Sequence, residues 1–357
     1  MISLNGWQSW SNCGKVLFKG IPANRFSPFG KDNDSAAVLN QPGVKLPVNG
    51  WCSWSAFGIN INEEIILSHA KWIANHKKEV PLDYVLIDDG WAHWGDWLSP
   101  ERKKFPQELK FISGKIKNLG LKPGLWIAPF FVHPKSVLAK EHPEYLIKDK
   151  KGNLVNGLIF HRFFSSRKRW ILDIRKQEAR TYIERVLRVI IKEWGFELLK
   201  LDYLYAQHFN PIFENQETPD RLLSDFLEKI KNDYPEIFTI ASGCPLKPAI
   251  SKVDAMRISD DIILPFMKNI FIINRFVHLC RLRQLENNLQ KRYQTRLFWN
   301  LDPDIFVCGK PFGFNKMQIK RLSDLIKSAG GLKFLGDNLP SLSKERVKLF
   351  IVPLFKD

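Results

Sequence analysis

The chain has 357 residues, of which 45% are hydrophobic and 25% charged, so it has enough apolar material for one large domain or two ordinary ones. Its net charge is +17, from 54 basic and 37 acidic residues. Because the basic residues are spread along the whole chain, this charge indicates a solvated basic surface, and we expect no nucleic-acid partner.

The five cysteines are scattered, odd in number and without a C-x-x-C pair: Cys13, Cys52, Cys244, Cys280 and Cys308. This pattern supports neither a zinc site nor a disulfide framework, and we expect a cytoplasmic protein. No basic segment followed by an apolar run opens the chain, so we expect no signal peptide. No run approaches the roughly 18 apolar residues of a membrane span, so we expect no membrane partner.

Residues 1–47 differ from the rest of the chain. An aromatic, turn-rich stretch from Asn5 to Ser11 contains Trp7 and Trp10, and the remainder carries Pro, Gly, Asn and Asp without clear periodicity. This pattern predicts an aromatic tip followed by a loop packed on the main domain. Irregular segments of this length are uncommon in compact domains and are often functional.

Strand and helix patterns alternate from Pro47 onward. We predict strands at 49–54, 82–88, 122–128, 170–173, 196–203, 237–242, 254–259 and 296–301. We predict helices at 62–77, 107–119, 134–143, 177–194, 219–232, 246–252, 270–290 and 316–329. This order predicts an α/β fold, a (β/α)8 TIM barrel over 48–331 with a short tail at 332–357. A doubly wound open sheet is the alternative, but no glycine-rich phosphate-binding loop supports it.

The fifth predicted strand, from Phe196 to Tyr203, is short and apolar, as a buried strand is. Side chains on a strand alternate between its faces, so Lys200 and Asp202 share one face. In a parallel barrel that face points inward, at the end of the strands where barrel enzymes keep their chemistry. A cation beside a carboxylate favours the ionised form that a nucleophile needs. The alternative is a surface ion pair on an edge strand.

Other acidic and basic residues also collect just after the predicted strands: Asp88, Asp89, Arg257, Asp261, Asp302 and Asp304. Two opposed carboxylates, Asp202 and Asp261, can perform glycoside hydrolysis, in which one attacks the anomeric carbon and the other protonates the leaving oxygen. A gap of roughly 5–5.5 Å between the two would mean retention of configuration, and a wider gap inversion.

The remaining polar and aromatic residues suit a sugar. Asp88 and Asp89 can accept hydrogen bonds from neighbouring hydroxyls. Trp54, Trp91 and Trp126 offer flat apolar faces for a sugar ring. Core packing is the alternative for each tryptophan, and helix capping or a magnesium site is the alternative for the two aspartates.

Six motifs make the chain similar to the melibiase-type α-galactosidases of glycoside hydrolase family 36, in clan D. They are NGWCSW at 49–54, IDDGW at 87–91, KPGLWIAP at 122–129, KLDYL at 200–204, RISDD at 257–261 and WNLDPD at 299–304. Each motif alone is weak evidence of the family, but all six occur in the same order along the chain as in the family. The resemblance implies a (β/α)8 barrel and a retaining double displacement that cleaves terminal α-D-galactosyl residues from small oligosaccharides, without a metal or organic cofactor.

By position in these motifs, the resemblance implies that Asp202 is the nucleophile and Asp261 the acid/base. It implies that Asp88 and Asp89 bind the 4- and 6-hydroxyls of the sugar. It implies that Lys200 and Arg257 contact the 2- and 3-hydroxyls and the nucleophile. It also implies that Trp54 and Trp126 form walls of the pocket.

The sequence also departs from this family. Members usually carry a large N-terminal β-sandwich and a smaller C-terminal β-domain, and we expect neither here. The stretch containing Trp7 and Trp10 resembles the sandwich loop that supplies a tryptophan to the site, so we expect one of the two near the pocket. Ser55 stands where an aromatic residue is usual, and Ser242 where a cysteine often lines the pocket, with Cys244 two residues on.

These changes leave the substituent at C2 of the sugar open. An α-N-acetylgalactosaminidase or a galactosyl transferase of the raffinose-synthase kind is the alternative within the enzyme class. A non-catalytic sugar-binding remnant is the alternative outside it. A homo-oligomer is one way to replace the two missing domains.

Overall fold

The computed structural model describes residues 45–157, 168–209, 218–263 and 271–356, with side chains in the last range from 277 onward. Trp7 and Trp10 lie outside these residues, as does almost all of the predicted N-terminal segment. In the described part of the chain, no helix is both long enough and apolar enough to cross a membrane. Cys52, Cys244, Cys280 and Cys308 are free thiols.

Eight parallel strands form the central sheet. They are β1 (Asn49–Cys52), β2 (Tyr84–Ile87), β3 (Lys122–Ile127), β4 (Leu198–Leu201), β5 (Phe238–Ala241), β6 (Ala255–Arg257), β7 (Asn300–Asp302) and β8 (Lys333–Leu335). Strands β1 to β7 pair in chain order, and β8 pairs with β1. The ring closes between β7 and β8, where Leu332 N donates to Leu301 O at 3.0 Å and the short strand Ile305–Phe306 pairs with β8. The predicted (β/α)8 barrel is confirmed.

The helices lie between successive strands. The longer ones are α1 (Glu63–His76), α2 (Glu108–Asn118), α3 (Gln177–Arg188), α4 (Pro219–Asp233), α5 (Phe271–Arg292) and α6 (Lys316–Ala329). Shorter helices are Trp54–Phe57, Val137–Glu141, Leu246–Ala249 and Lys344–Arg346. The helix starts follow from the sequence, since the Asn62 side chain accepts from Ile65 N at the start of α1.

Each long helix with an amphipathic pattern buries one face against the sheet. In α1 the buried residues Ile66, Ala70 and Ile73 recur at helical spacing. In β4, Leu199 and Leu201 are fully buried in the apolar layer. The apolar core therefore lies between the strands and the surrounding helices, which leaves the ends of the strands for polar side chains.

One predicted strand is wrong, and one barrel strand was not predicted. Trp170–Ile171 pairs antiparallel with Phe131–Val132 and lies outside the barrel, so the prediction of a fourth barrel strand at 170–173 is wrong. A short apolar run has the composition of a strand but does not specify its partner. The eighth strand is instead Lys333–Leu335, so the barrel sheet runs past residue 331, where we predicted the barrel to end. The fifth and seventh predicted strands are consequently β4 and β6.

Candidate active site

The carboxyl end of β4 supplies a buried cation. Lys200 Nζ donates to Asp88 Oδ2, which follows β2, at 2.7 Å, and the side chains are 9% and 3% exposed. Burial opposes the charged form of Lys200, but the negative charges of Asp88 and Asp202 raise the pKa of Lys200 above its ordinary value. The pair is therefore a charged lysine and a carboxylate held in a fixed geometry inside the barrel.

The Asp88 carboxylate has further donors. Its Oδ1 accepts from Asp89 N at 2.9 Å, and its Oδ2 accepts from Cys52 Sγ at 3.3 Å. Its own backbone N donates to Ser53 Oγ at 2.9 Å. These bonds join the end of β1 to the end of β2 and fix the direction of the Asp88 side chain.

Asp89 is held by an indole from the loop after β2. Trp94 Nε1 donates to Asp89 Oδ1 at 2.9 Å. Burial raises the pKa of Asp89 to about 6, with the bond from Trp94 opposing the rise and the charge of Asp88 adding to it. The guanidinium of Arg169 lies 4.5 Å from the centroid of the Trp94 ring. Asp89 is thus a carboxyl that changes charge in the mildly acidic range.

The predicted nucleophile is fixed at both of its oxygens. Trp126 Nε1, from β3, donates to Asp202 Oδ2 at 3.1 Å. The backbone N of Tyr203 donates to Asp202 Oδ1 at 2.8 Å. Tyr203 has a φ of 55°, a left-handed conformation that is uncommon for a non-glycine residue and that often marks a functional turn.

The predicted acid/base is likewise held by an indole and by a cation. Trp54 Nε1, just after β1, donates to Asp261 Oδ2 at 3.1 Å. Arg257 Nη2, from β6, donates to Asp261 Oδ1 at 2.9 Å. The side chain of Asp261 is 39% exposed, so it remains open to solvent while Arg257 is buried.

Electrostatic effects place these groups in one neighbourhood. Burial raises the pKa of Tyr203, and the negative charges of Asp202, Asp261 and Asp89 raise it further. Burial opposes the charge on Arg257, but nearby carboxylates, including Asp261 and Asp202, raise its pKa above the ordinary value. Carboxylates that follow β2, β4 and β6 therefore act on the same side chains at one end of the barrel.

Trp91 does not fit the expectation of a sugar-stacking surface, and Ser242 lies at the end of a barrel strand. Trp91 is fully buried and donates to Trp126 O at 2.9 Å, so its ring packs in the core and is not available to stack on a sugar. Ser242 is buried, and its backbone N donates to Leu201 O at 2.8 Å. That bond places Ser242 beside the end of β4, where Asp202 follows.

Sequence reasoning missed two residues of this site. Trp94 was given no role, although it is a hydrogen-bond donor to Asp89. Asp304 received no role, although its Oδ1 lies 2.6 Å from Arg257 Nη2. The signals available were the tryptophan-rich loop after β2 and the acidic pair after β7.

One cavity in the described part of the chain lies away from the predicted site residues. A cavity of about 600 Å³ lies between α3 and α4, and its lining includes Ile183, Leu187, Leu222 and Ile230 but none of the predicted site residues. Over the described ranges, no group of three or more His, Cys, Asp or Glu side chains could hold a metal ion.

The fold and the site define a (β/α)8-barrel protein with a carboxylate-rich rim at the carboxyl ends of its strands. A sequence model of the Melibiase family matches residues 47–237, more than half of the 357 residues, and the chain therefore belongs to the Melibiase family. This match confirms the resemblance to melibiase-type α-galactosidases.

Individual relatives agree with this assignment. "Alpha-galactosidase 1" of Pediococcus pentosaceus is 27% identical over 210 residues, which cover 54% of this chain and 26% of that protein. "Probable alpha-galactosidase B" of Talaromyces emersonii is 42% identical over 99 residues, 25% of this chain and 22% of that protein. The chain thus matches only about a quarter of the length of these relatives.

Solved structures share the fold. An α-galactosidase from Thermus thermophilus, in complex with p-nitrophenyl α-D-galactopyranoside, superposes with a TM-score of 0.73 at 23% identity, over 90% of this chain and 65% of that one. The family 36 α-galactosidase AgaA from Geobacillus stearothermophilus gives a TM-score of 0.61 at 19% identity, over 87% of this chain and 42% of that one.

Proposed function

We propose that this protein cleaves terminal α-D-galactosyl residues from small galactosides by a retaining double displacement. Asp202 is the nucleophile and Asp261 the acid/base. The observation that supports this proposal best is that both carboxylates are held in the same way. Each accepts a hydrogen bond from an indole N–H at 3.1 Å. We infer the identity of the sugar from the relatives, which are named as α-galactosidases.

In the first step, an Asp202 oxygen attacks the anomeric carbon from the face opposite the leaving group. The bond from that carbon to the leaving oxygen breaks as Asp261 gives the oxygen its proton. In the second step, water attacks the same carbon and gives a proton to the Asp261 carboxylate, and the bond to Asp202 breaks. The bonds from Trp126 and from Tyr203 N keep Asp202 aimed without reorganisation.

The sugar is held by the two carboxylates that follow β2. Asp88 accepts from Lys200 at 2.7 Å, and the two together offer an acceptor and a donor to adjacent hydroxyls. Asp89 accepts from Trp94 through Oδ1 at 2.9 Å, and its carboxylate can accept a further hydrogen bond from a second hydroxyl. Ionised carboxylates make stronger hydrogen bonds than neutral acceptors, and we therefore assign specificity for a galactose-like polyol to this pair.

The experiment that tests the proposal is a panel of nitrophenyl α- and β-glycosides that includes the galactosides and the N-acetylgalactosaminides. We expect nitrophenol release from the α-galactoside. NMR of the reaction should show α-galactose as the first-formed anomer. Release from none of the panel would contradict the proposed activity, and β-galactose formed first would contradict retention. Preference for the α-N-acetylgalactosaminide would instead identify the alternative substrate.

A further inference from the structure

A single guanidinium joins Asp261 to two other carboxylates. Arg257 Nη2 donates to Asp261 Oδ1 at 2.9 Å and lies 2.6 Å from Asp304 Oδ1. Asp302 Oδ2 lies 3.9 Å from Arg257 Nη1. The side chains of Asp302 and Asp304 are both 8% exposed, against 39% for Asp261. One positive charge is therefore divided among three carboxyl groups, two of which are buried.

Asp304 also holds the backbone beside Asp261. Its Oδ2 accepts from Ile262 N at 2.6 Å, and its own N donates to Asp302 Oδ1 at 2.9 Å. Asp304 has a φ of 78°, a left-handed conformation that a non-glycine residue keeps only where its surroundings impose it. The Asp304 side chain thus contacts the segment carrying Asp261 twice, once through Arg257 and once through the next backbone N–H.

Burial also acts on the charge of Asp304. It raises the pKa of Asp304 above its ordinary value, with Arg257 opposing the rise and Asp261 and Asp302 adding to it. Three carboxylates around one guanidinium would leave a net negative charge in a largely buried site, which is unfavourable. The attraction that Arg257 exerts on Asp261 therefore depends on whether Asp304 is ionised.

We propose that Asp304 is a positioning residue that shares the Arg257 guanidinium with Asp261 and so keeps Asp261 able to hold the proton that it gives to the leaving oxygen. This inference rests on the proposed function, because it concerns the acid/base step. A guanidinium that served Asp261 alone would favour the ionised carboxylate, which has no proton to give. Asp304 acts through Arg257 rather than on the substrate.

Other elements also bring groups to the two carboxyls, and a substitution at Asp304 leaves those residues unaltered. The indole N–H of Trp54, from the end of β1, donates to Asp261. Asp202 and Tyr203, after β4, interact electrostatically with Arg257 and Asp261 respectively. Asp302, at the end of β7, faces Arg257. A change in pH dependence after substitution of Asp304 alone therefore reports on the shared guanidinium.

The test compares pH profiles of kcat/KM for the wild type, Asp304→Asn and the control Asp324→Asn. Asp324 is an exposed aspartate on α6 that pairs with Lys320, so its variant should match the wild type. In Asp304→Asn we expect the basic limb to move to lower pH by roughly one unit, the size of the effect of one nearby charge on a carboxyl. The acid limb should stay in place. Asp304→Glu keeps the charge and should restore the basic limb.

Three outcomes overturn the proposal. A basic limb that stays in place in folded, active Asp304→Asn overturns the inference and leaves the proposed function intact. A wild type that is inactive on every galactoside overturns the proposed function and this inference with it. If Asp304→Asn does not fold, Asp302→Asn removes a charge 3.9 Å from Arg257 and keeps the bond to Ile262 N. It should give a smaller shift in the same direction, and no shift would overturn the proposal.

Discussion

Substitution of Lys200 by methionine removes the buried ammonium and keeps an unbranched side chain of similar volume. In the wild type, Lys200 Nζ lies 2.7 Å from Asp88 Oδ2, and both side chains are more than nine-tenths buried. The variant leaves Asp88 as a buried charge without its cation. Loss of one partner of a buried pair costs about 3–5 kcal/mol.

Asp88 keeps two other hydrogen bonds in the variant, so we expect the loss in the free energy of unfolding to lie near the lower end of this range. Its carboxylate still accepts from Asp89 N at 2.9 Å and from Cys52 Sγ at 3.3 Å. We therefore expect the free energy of unfolding to fall by about 3 kcal/mol. With about 2.1 cal/mol/K of unfolding entropy per residue over 357 residues, Tm should fall by about 4 °C.

The assay is thermal unfolding at neutral pH, followed by circular dichroism. The matched control is Lys320→Met, because Lys320 pairs with Asp324 at the surface, with the side chains 77% and 57% exposed, and its loss should change Tm by about 1 °C or less. The double variant Lys200→Met with Asp88→Asn should recover most of the lost stability, since no charge then remains buried alone. An unchanged Tm in Lys200→Met, or a double variant less stable than the single one, would refute this reasoning.

Three further predictions concern activity. Asp261→Ala should lower kcat/KM for a natural galactoside by about a hundredfold or more and should affect a nitrophenyl galactoside far less; equal losses would argue against an acid role. Trp94→Phe removes the N–H from which Asp89 accepts a hydrogen bond at 2.9 Å. KM should therefore rise by about tenfold with kcat nearly unchanged. An unaltered KM would contradict the role of Trp94 in holding Asp89. Because burial raises the pKa of Asp89 to about 6, its ionised form is lost as the pH falls through that value, and KM should rise there in the wild type but not in Asp89→Asn.

Much of the site could be predicted from the sequence because strand periodicity and strand order are local properties. The alternation around Lys200 and Asp202 predicted that both face away from Leu199 and Leu201, and these two leucines are fully buried. The carboxyl ends of parallel strands share one edge of a barrel, so Asp88 and Asp261 were expected beside Asp202. For these residues, the position relative to the predicted strands was enough to predict that they lie together at the carboxyl ends of the strands.

The contacts that depend on packing could not be predicted in this way. Trp91 and Trp94 lie in the same loop and have the same chemistry, yet the ring of Trp91 is fully buried and the indole of Trp94 bonds Asp89. The direction of each ring is set by the neighbours that it meets in the folded loop. Likewise, Trp170–Ile171 has the composition of a barrel strand, but its antiparallel partner is Phe131–Val132.

The contacts of Asp304 could not be predicted from the sequence either. It contacts Arg257 and Ile262, which lie more than 40 residues earlier in the chain. These contacts form because β6 and β7 are neighbours in the sheet and because the backbone of Asp304 turns left-handed directly after β7. A sequence pattern shows an acidic residue after a strand but not which cation it meets.

The most direct test of the central claim, that Asp202 is the nucleophile, is azide rescue of Asp202→Gly on nitrophenyl α-galactoside. Without azide, we expect nitrophenol release to be abolished. With azide, the anion can enter the space left by the carboxylate and attack the anomeric carbon from the same face. Release should then recover in part, with β-galactosyl azide as the product by NMR. Full activity without azide would contradict the account, as would rescue that yields the α-azide.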